Sequence, residues 1–235
     1  PHFAIQRSAP LSVDLSYATT PQNVAVIGLG RFGGAVAASL IRMGHEVFGI
    51  DGNPEIVQEW SDRLTHIVQA DTTNAATLQR LGLQDFQHVV VGIGSDLEAS
   101  VLTTLALSEL GVGDIWAKAV TVNHGRILER TGAHHVIYPE VVMGERVAHL
   151  VTSKMLDFIE FDDGYAIVKL RAPATTWGQT LEAMGLRARF GITVIGVKRS
   201  RQDFVNAQPD TRIEKGDIIV VSGSTRQVEK FAAQN

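Results

Sequence analysis

A glycine-rich turn between a short apolar strand and an amphipathic helix constrains this chain more than any other feature. Residues 24–27 are apolar, and the turn follows them directly. The turn consists of Gly28, Leu29, Gly30, Arg31, Phe32 and Gly33. In a dinucleotide-binding βαβ unit, the first glycine allows the tight turn, the second admits a phosphate and the third permits close helix–strand packing. The motif predicts a nucleotide-binding loop, with an unoccupied structural turn as the alternative.

An acidic residue stands at the expected distance from this turn. A second apolar strand, at residues 46–50, ends in Asp51, and 51 − 28 gives 23 residues after the first glycine. This is near the spacing of about 20 at which a carboxylate holds the ribose hydroxyls. The carboxylate would repel a 2′-phosphate, so NADP is disfavoured, and Asn53 is a second candidate contact. The sequence therefore predicts a complete nucleotide-binding βαβ unit.

The region up to residue 138 alternates strand and helix patterns. Apolar runs predict strands at residues 24–27, 46–50, 65–69, 88–93, 115–119 and 135–138. Five helical segments separate them, one of them introduced by a capping box of Ser95 and Glu98. Alternating βα units form parallel sheets covered by helices. The prediction is an α/β, Rossmann-type doubly wound sheet with strand order 3-2-1-4-5-6 over residues 23–138.

The remainder of the chain has a different secondary-structure pattern. A linking helix is predicted from Pro139 to residue 156, followed by a strand-rich segment over residues 157–235. Strands are predicted at residues 158–161, 165–170, 192–197 and 218–221, with a hairpin turn at residues 162–164. Helices are predicted near residues 178–184 and after Ser224. This pattern indicates a small α+β domain, and residues 1–22 are predicted to form a flexible N-terminal arm.

Composition excludes several classes of function. The chain has no cysteine, which excludes disulfides, thiolate catalysis and cysteine zinc sites. Its net charge is −4 with scattered basic residues, so nucleic acid is not expected as a partner. No apolar run approaches the ~18 residues of a membrane span. We expect a cytoplasmic location.

The histidine distribution argues against an enzyme. A hydride-transferring enzyme needs a second domain that presents the substrate and an acid or base beside the cofactor. Residues 157–235, which would form that domain, contain no histidine. The eight histidines of the chain lie on separate elements before that region. An NAD(H)-dependent oxidoreductase or redox sensor is the alternative, and a purely structural oligomerisation domain is a third.

Four stretches of the chain resemble a known family. They read VIGLGRFG at 26–33, LTTLALSELGVGDIWAKA at 102–119, GAHHVIYPEVVMG at 132–144 and LRARFGITVIGVKR at 186–199. Together they resemble the RCK (regulator of K⁺ conductance) subunits of KtrA/TrkA type, the cytosolic gating partners of bacterial potassium transporters. The resemblance covers about residues 22–235. Because the chain carries one such unit rather than two in tandem, it is more similar to the KtrA type.

The resemblance implies a regulatory role and an assembly. It implies dimers assembled into a ring of eight subunits, docked at the inner face of the membrane on a membrane-embedded potassium channel or transporter subunit. ATP or ADP in the first domain would control K⁺ flux, with NAD(H) as another candidate cofactor. Such control requires that the nucleotides bind two ring shapes with different relative affinity.

Arg31 is the candidate that distinguishes the phosphates. A cation at a helix N-terminus is unfavourable with the helix dipole, and a bound phosphate would explain its presence. In KtrA-like proteins the arginine at this position reaches a terminal phosphate, including one bound by the neighbouring subunit. The alternative is an ordinary solvated arginine.

Further candidates lie at the ends of later strands. The resemblance places Asp71 and Thr72 in the adenine-facing turn after the third strand, where the usual Asp-Ala-Thr is Asp-Thr-Thr here. Ile93 and Gly94 end the fourth strand and would line the crevice at the switch point. Lys118 ends the fifth strand, where a buried ammonium would need an anion. A lysine that extends its amine to solvent is the alternative.

Two further sites are implied by the resemblance. Glu140 matches a glutamate at the subunit interface that helps bind a divalent cation near the phosphates, and a carboxylate that only interacts with the helix dipole is the alternative. Relatives can also bind cyclic di-AMP between paired small domains. Arg187, Ala188 and Pro209 match positions near that site, whereas Gly185 replaces an asparagine of some binders.

Overall fold

The computed structural model describes residues 21–234. Within them the chain divides into two compact units, with the boundary between Tyr138 and Pro139. Apart from Pro21 and Gln22, the arm predicted over residues 1–22 lies outside the described residues. The division assigns the predicted linking helix to the second unit.

The first unit contains a parallel sheet of six strands. Its spatial order is β3-β2-β1-β4-β5-β6, which confirms the predicted order 3-2-1-4-5-6. The strands are β1 (Asn23–Ile27), β2 (Glu46–Asp51), β3 (His66–Gln69), β4 (His88–Val91), β5 (Ile115–Lys118) and β6 (His135–Ile137). The chain runs outward from β1 to β3 and then returns to pair β4 with β1. A crevice at the carboxyl edge is therefore expected between β1 and β4, where the order reverses.

Five helices cover this sheet. They are α1 (Arg31–Arg42), α2 (Pro54–Trp60), α3 (Ala75–Arg80), α4 (Leu97–Glu109) and α5 (Val122–Arg130). The predicted cap of α4 was wrong by one residue, because the carboxylate of Asp96 accepts the Ala99 amide at 3.0 Å and takes the place predicted for Ser95. Both residue types are good N-caps, so the sequence did not distinguish them.

The core lies on both faces of the sheet. Ala25 and Ile27 belong to one apolar layer, together with Leu107 from α4. Val24 and Val26 belong to the other layer, together with Trp60 of α2. Because the side chains of a strand alternate between faces and both faces are covered, β1 is apolar from Val24 to Ile27. The two layers hold the strand ends of the crevice in fixed positions.

The second unit begins with α6 (Pro139–Thr152) and continues into an antiparallel sheet. Its five strands have the order β10-β9-β11-β8-β7. They are β7 (Met155–Phe161), β8 (Tyr165–Arg171), β9 (Thr193–Lys198), β10 (Phe204–Asn206) and β11 (Ile218–Ser224). The helices after α6 are α7 (Leu181–Met184), α8 (Leu186–Phe190) and α9 (Thr225–Ala232). The predicted α+β class is confirmed.

Several predicted boundaries in this unit were wrong. The helix from Pro139 ends at Thr152 rather than at residue 156, and β7 begins at Met155 rather than at residue 158. Met155 is buried and pairs with Leu170, a tertiary contact that the sequence pattern does not reveal. Strand β10 was missed because all three of its residues are exposed and no alternation marks it. Helix α8 was also missed.

Candidate nucleotide-binding site

The glycine turn is held tightly at the end of β1. Gly28 has φ +80°, and its amide donates to the Ile50 carbonyl at 2.8 Å. A Cβ at Gly33 would collide with the carbonyl oxygen of Gly28. These contacts support the predicted roles of the first and third glycines, which are the turn and the close approach of α1.

Gly30 has a different environment. A Cβ at this position would meet no heavy atom within 4 Å, so the backbone is open on that side. Gly30 is also the N-cap of α1, and the first turn of that helix contains no acidic residue. Helix N-termini with unfilled N–H groups attract anions. The open side of Gly30 is where a phosphate can approach the backbone.

Asp51 joins the turn to the end of β2. Its Oδ2 accepts the Leu29 amide at 2.7 Å, and its Oδ1 accepts the Asn53 amide at 2.8 Å. The Leu29 side chain is 3% exposed and packs in the core, so only its backbone faces this site. The side chain of Asn53 caps α2 by accepting the Glu55 amide at 2.9 Å. Each carboxylate oxygen of Asp51 retains acceptor capacity for a ribose hydroxyl.

Two cations and an aromatic ring lie along the same edge. Arg31 is the first residue of α1 and is exposed, and within residues 21–234 its guanidinium has no hydrogen bond or ion pair. The Nζ of Lys118 lies 5.7 Å from the ring centre of Phe32. A Cβ on Gly94 would lie 3.4 Å from the same Nζ. The loops that follow β1, β4 and β5 therefore converge.

The loop after β4 packs directly on the glycine turn. A Cβ on Gly28 would lie 3.0 Å from Cγ1 of Ile93, and one on Gly92 would lie 2.8 Å from the Gly28 carbonyl oxygen. Gly92 was not among the predicted site residues. Its position directly after an apolar strand was the available signal. Gly92 allows the β1 and β4 loops to approach each other, which narrows the crevice at the switch point.

Of the two residues predicted in the turn after β3, only Asp71 has an exposed side chain. The hydroxyl and amide of Thr73 donate to Asp71 at 2.7 and 3.0 Å, and these hydrogen bonds lower the pKa of the Asp71 carboxyl below its ordinary value. Thr72, in contrast, is buried, and its hydroxyl lies 2.9 Å from that of Thr103 in α4. The Thr72 side chain therefore helps anchor the turn to α4, and only its backbone is left for a ligand.

The predicted site residues of the second unit do not all lie at one site. Glu140 is exposed at the second position of α6, and the described residues contain no group of three or more His, Asp or Glu able to hold a metal ion. Arg187 and Pro209 line one cavity of about 450 Å³. Within it the guanidinium of Arg187 donates to Oγ1 of Thr193 at 3.2 and 3.3 Å. Ala188 lies on a neighbouring cleft instead.

Comparison with known proteins decides the family. Residues 24–139 match the TrkA-N domain, and residues 166–234 match the TrkA-C domain. Ktr system potassium uptake protein C of Bacillus subtilis is 38% identical over 88% of this chain and 94% of that protein. The chain belongs to the Ktr/TrkA family. Ktr system potassium uptake protein A is 37% identical in Bacillus subtilis and 35% identical in Vibrio alginolyticus, with 94% of each protein covered. The resemblance to KtrA/TrkA-type RCK subunits is thus confirmed.

Solved structures support the fold of this Ktr/TrkA family member. The GsuK RCK domain aligns with a TM-score of 0.63 and 18% identity, covering 92% of this chain and 48% of that chain. The present chain thus spans about half the length of that protein. The TrkA-N domain of the inner membrane protein YbaL from Escherichia coli aligns with 57% of this chain at a TM-score of 0.51 and 16% identity. In residues 21–234, no helix is long and apolar enough to cross a bilayer.

Proposed function

We propose that this chain is a non-enzymatic regulatory subunit of a potassium uptake system and binds an adenine nucleotide in its first unit. The observation that carries the nucleotide assignment is the convergence of the loops after β1, β4 and β5. There Gly30 leaves the backbone open and Asp51 presents a carboxylate. The regulatory assignment is supported by the Ktr system potassium uptake proteins, whose length the match covers almost completely.

ATP or ADP is favoured over NAD(H) by the position of Arg31. A diphosphate that follows the Gly30 backbone ends near the first turn of α1, where this exposed arginine begins the helix. ATP carries three phosphates and ADP two, and each chain ends in a terminal phosphate with exposed oxygens, whereas both phosphates of NAD are bridging. A guanidinium forms its strongest hydrogen bonds with such exposed phosphate oxygens. Arg31 would therefore bind the group that distinguishes the two nucleotides.

A role without catalysis is supported by the residues around this site. Residues 157–235 supply no histidine, and the edge described above combines a carboxylate and two cations with backbone amides. Those groups bind and orient a nucleotide. The site is therefore proposed as a sensor.

The proposed partner is a membrane-embedded potassium channel or transporter subunit. The chain would act at the inner, cytoplasmic face of the membrane as dimers assembled into an octameric ring. Nucleotides change the K⁺ flux only if they bind two shapes of this ring with different relative affinity. Glu140 is the proposed ligand of a divalent cation, and cyclic di-AMP would bind beside Arg187 and Pro209 in the second unit.

Thermal-shift titration of the full chain with ATP, ADP, NAD⁺ and NADH tests the nucleotide assignment. A ligand at 100 times its Kd stabilises the fold by about 2.7 kcal/mol, which gives a measurable rise in Tm. Arg31→Ala should raise the Kd for ATP about tenfold or more, because one charge-assisted hydrogen bond contributes about 1.5–3 kcal/mol. Arg42→Ala, at the other end of α1, is the matched control and should leave all four responses unchanged.

Three results would contradict the proposal. No stabilisation by millimolar ATP or ADP would exclude the adenine nucleotide. An equal loss of ATP and NAD⁺ binding in Arg31→Ala would exclude the contact with a terminal phosphate. Hydride transfer from NADH to a substrate would establish the oxidoreductase alternative. Co-purification with the membrane subunit, followed by ion flux with ATP or ADP, tests the regulatory role itself.

A further inference from the structure

The second unit contains a cluster of basic side chains outside the cavity that Pro209 lines. A cleft of about 570 Å³ lies between α8 and the first two turns of α9. Its basic side chains are Arg187, Arg189, Arg226 and Lys230, and none of the described residues that line it is acidic. We call it the basic cleft. Four cations around one cleft contrast with the net charge of −4 for the whole chain.

The arrangement of charge on α9 is unfavourable for the helix alone. Arg226 and Lys230 are four residues apart on one face, where like charges repel. Arg226 also stands in the first turn, which contains no acidic residue and where the helix dipole disfavours a cation. The nearby Glu229 is directed elsewhere, with its Oε1 3.5 Å from Nδ1 of His149. Within residues 21–234 neither Arg226 nor Lys230 has a hydrogen bond or an ion pair.

The other side of the basic cleft has more contacts within the unit. Arg189 lies over the Phe190 ring, with its Cζ 5.3 Å from the ring centre. Gly191, with φ +70°, packs against the amide of Gln227, where a Cβ would collide with that side chain. Gln227 in turn accepts the Ser224 amide at 3.0 Å and fixes the start of α9. These contacts join the end of α8 to the start of α9, and α9 supplies two cations without partners among the described residues.

We propose that the basic cleft binds an anion with two linked phosphate groups. Two phosphates supply enough charge to offset the repulsion between Arg226 and Lys230, and Arg189 of α8 lines the same cleft. Arginine forms paired hydrogen bonds with phosphate oxygens, and lysine adds a point charge. This site is separate from the cavity of Arg187 and Pro209, although Arg187 borders both. The inference does not depend on nucleotide binding by the first unit.

Calorimetric titration with inorganic pyrophosphate tests this site in the full chain. The double variant Arg226→Gln and Lys230→Gln removes both α9 cations and keeps residues that suit a helix. Its Kd for pyrophosphate should rise about tenfold or more, because charged hydrogen bonds are lost. Its Tm should stay the same or rise slightly, since the like-charge pair is relieved. Lys215→Gln, an exposed cation of the same unit, is the control and should bind as the unaltered protein does.

Two additional arms identify the source of the phosphates and the location of binding. Vesicles of one part cardiolipin, a lipid with two phosphates joined through glycerol, to three parts phosphatidylcholine should retain the protein if the cleft takes lipid phosphates, and this retention should be lost in the double variant. Arg31→Gln should leave binding at the cleft unchanged. Equal pyrophosphate and vesicle binding by the double variant and the unaltered protein would overturn the proposal. Loss of pyrophosphate binding only in Arg31→Gln would overturn it as well.

Discussion

The amide of Leu29 donates to Oδ2 of Asp51 across 2.7 Å and ties the glycine turn to the end of β2. The other oxygen of the same carboxylate accepts the Asn53 amide and orders the start of α2. A carboxylate predicted to hold a ribose is therefore also a structural link between two loops. Binding and loop order are coupled through one side chain, and a change at Asp51 should affect both.

Replacing Asp51 by asparagine should weaken nucleotide binding and the fold together. One of the two amides now bound would face an NH2 group or lose a charged acceptor. A charge-assisted hydrogen bond contributes about 1.5–3 kcal/mol, so we expect at least about a tenfold rise in Kd for ATP. We expect a loss of about 1–3 kcal/mol in the free energy of unfolding. Calorimetry and urea unfolding measure the two quantities.

The matched control for this variant is Asp62→Asn. Asp62 follows α2, is exposed and has no hydrogen bond or ion pair among the described residues. Its Kd for ATP and its free energy of unfolding should both equal those of the unaltered protein. A drop in stability in Asp51→Asn without a change in ATP binding would assign Asp51 to structure alone.

A methyl group added at Gly30 or at Gly33, on either side of the start of α1, should have different effects on stability but the same effect on nucleotide binding. At Gly33 the added Cβ collides with the Gly28 carbonyl, so the turn must shift. Overpacking of this kind costs about 1–3 kcal/mol, and we expect Gly33→Ala to lose both stability and nucleotide binding. At Gly30 the Cβ meets nothing, so Gly30→Ala should fold normally and still lose nucleotide binding.

This pair of variants separates folding from ligand approach. Thermal unfolding without nucleotide should give a lower Tm for Gly33→Ala and an unchanged Tm for Gly30→Ala. Titration with ADP should then fail for both variants. Retained ADP binding in Gly30→Ala would show that no phosphate comes close to the Gly30 backbone.

The sequence predicted the first unit better than the second for a physical reason. Its central strands β1 and β4 are buried over most of their length and read as continuous apolar runs, and capped helices separate the strands, so the alternation is visible in the sequence. The second unit has short or exposed elements. Strand β10 is exposed along its whole length, and Met155 starts β7 through a tertiary contact with Leu170. Neither feature leaves a periodic signal.

The candidate site was predictable wherever backbone geometry requires a residue type. Gly28 and Gly33 follow from a turn and a close contact, and Asp51 follows from its spacing. Thr72 shows the limit of such reasoning, because its hydroxyl is buried against Thr103, a partner 31 residues away. The role of Gly92 depends on packing between two loops. Spacing along one segment does not reveal either contact.

Asp114 holds three side chains at the opposite edge of the first sheet. Its Oδ2 accepts Nδ1 of His88 at 2.6 Å and Nε1 of Trp116 at 2.9 Å, and its Oδ1 lies 3.2 Å from Nε2 of His135. Burial acts to raise the pKa of Asp114. The hydrogen bonds from His88 and Trp116 and the nearby charges of His135 and His88 outweigh it, so the net pKa is lowered.

Asp114→Asn should therefore destabilise the fold near neutral pH. A carboxyl with a lowered folded-state pKa contributes stability above its ordinary pKa, and that contribution is lost as the pH falls through the lowered value. We expect a loss of about 1–3 kcal/mol at pH 7 for the broken charged hydrogen bonds. The difference between variant and unaltered protein should shrink in strong acid. Urea unfolding over this range measures it, and a constant difference would contradict the ionic origin.

His124 should make the free energy of unfolding depend on pH in a range above that of Asp114. The residue is 3% exposed in α5, its Nδ1 accepts the Val120 amide at 3.4 Å, and its Nε2 is buried without a partner among the described residues. Burial lowers the pKa of His124 below the ordinary value of 6.5. The unfolded chain therefore takes up a proton at a pH where the folded chain does not. The resulting stability is complete above pH 6.5 and decreases as the pH falls from there towards the lowered pKa.

The variant His124→Asn should remove this slope, because its amide oxygen can still accept the Val120 amide but does not titrate. Urea unfolding at pH values on both sides of the ordinary histidine pKa measures the free energy of unfolding for both proteins. One proton gives a difference in slope of at most about 1.4 kcal/mol per pH unit. His66→Asn replaces an exposed histidine of β3 and should keep the slope of the unaltered protein. If His124→Asn shows the same slope as that control, the buried imidazole is not the origin of the pH dependence.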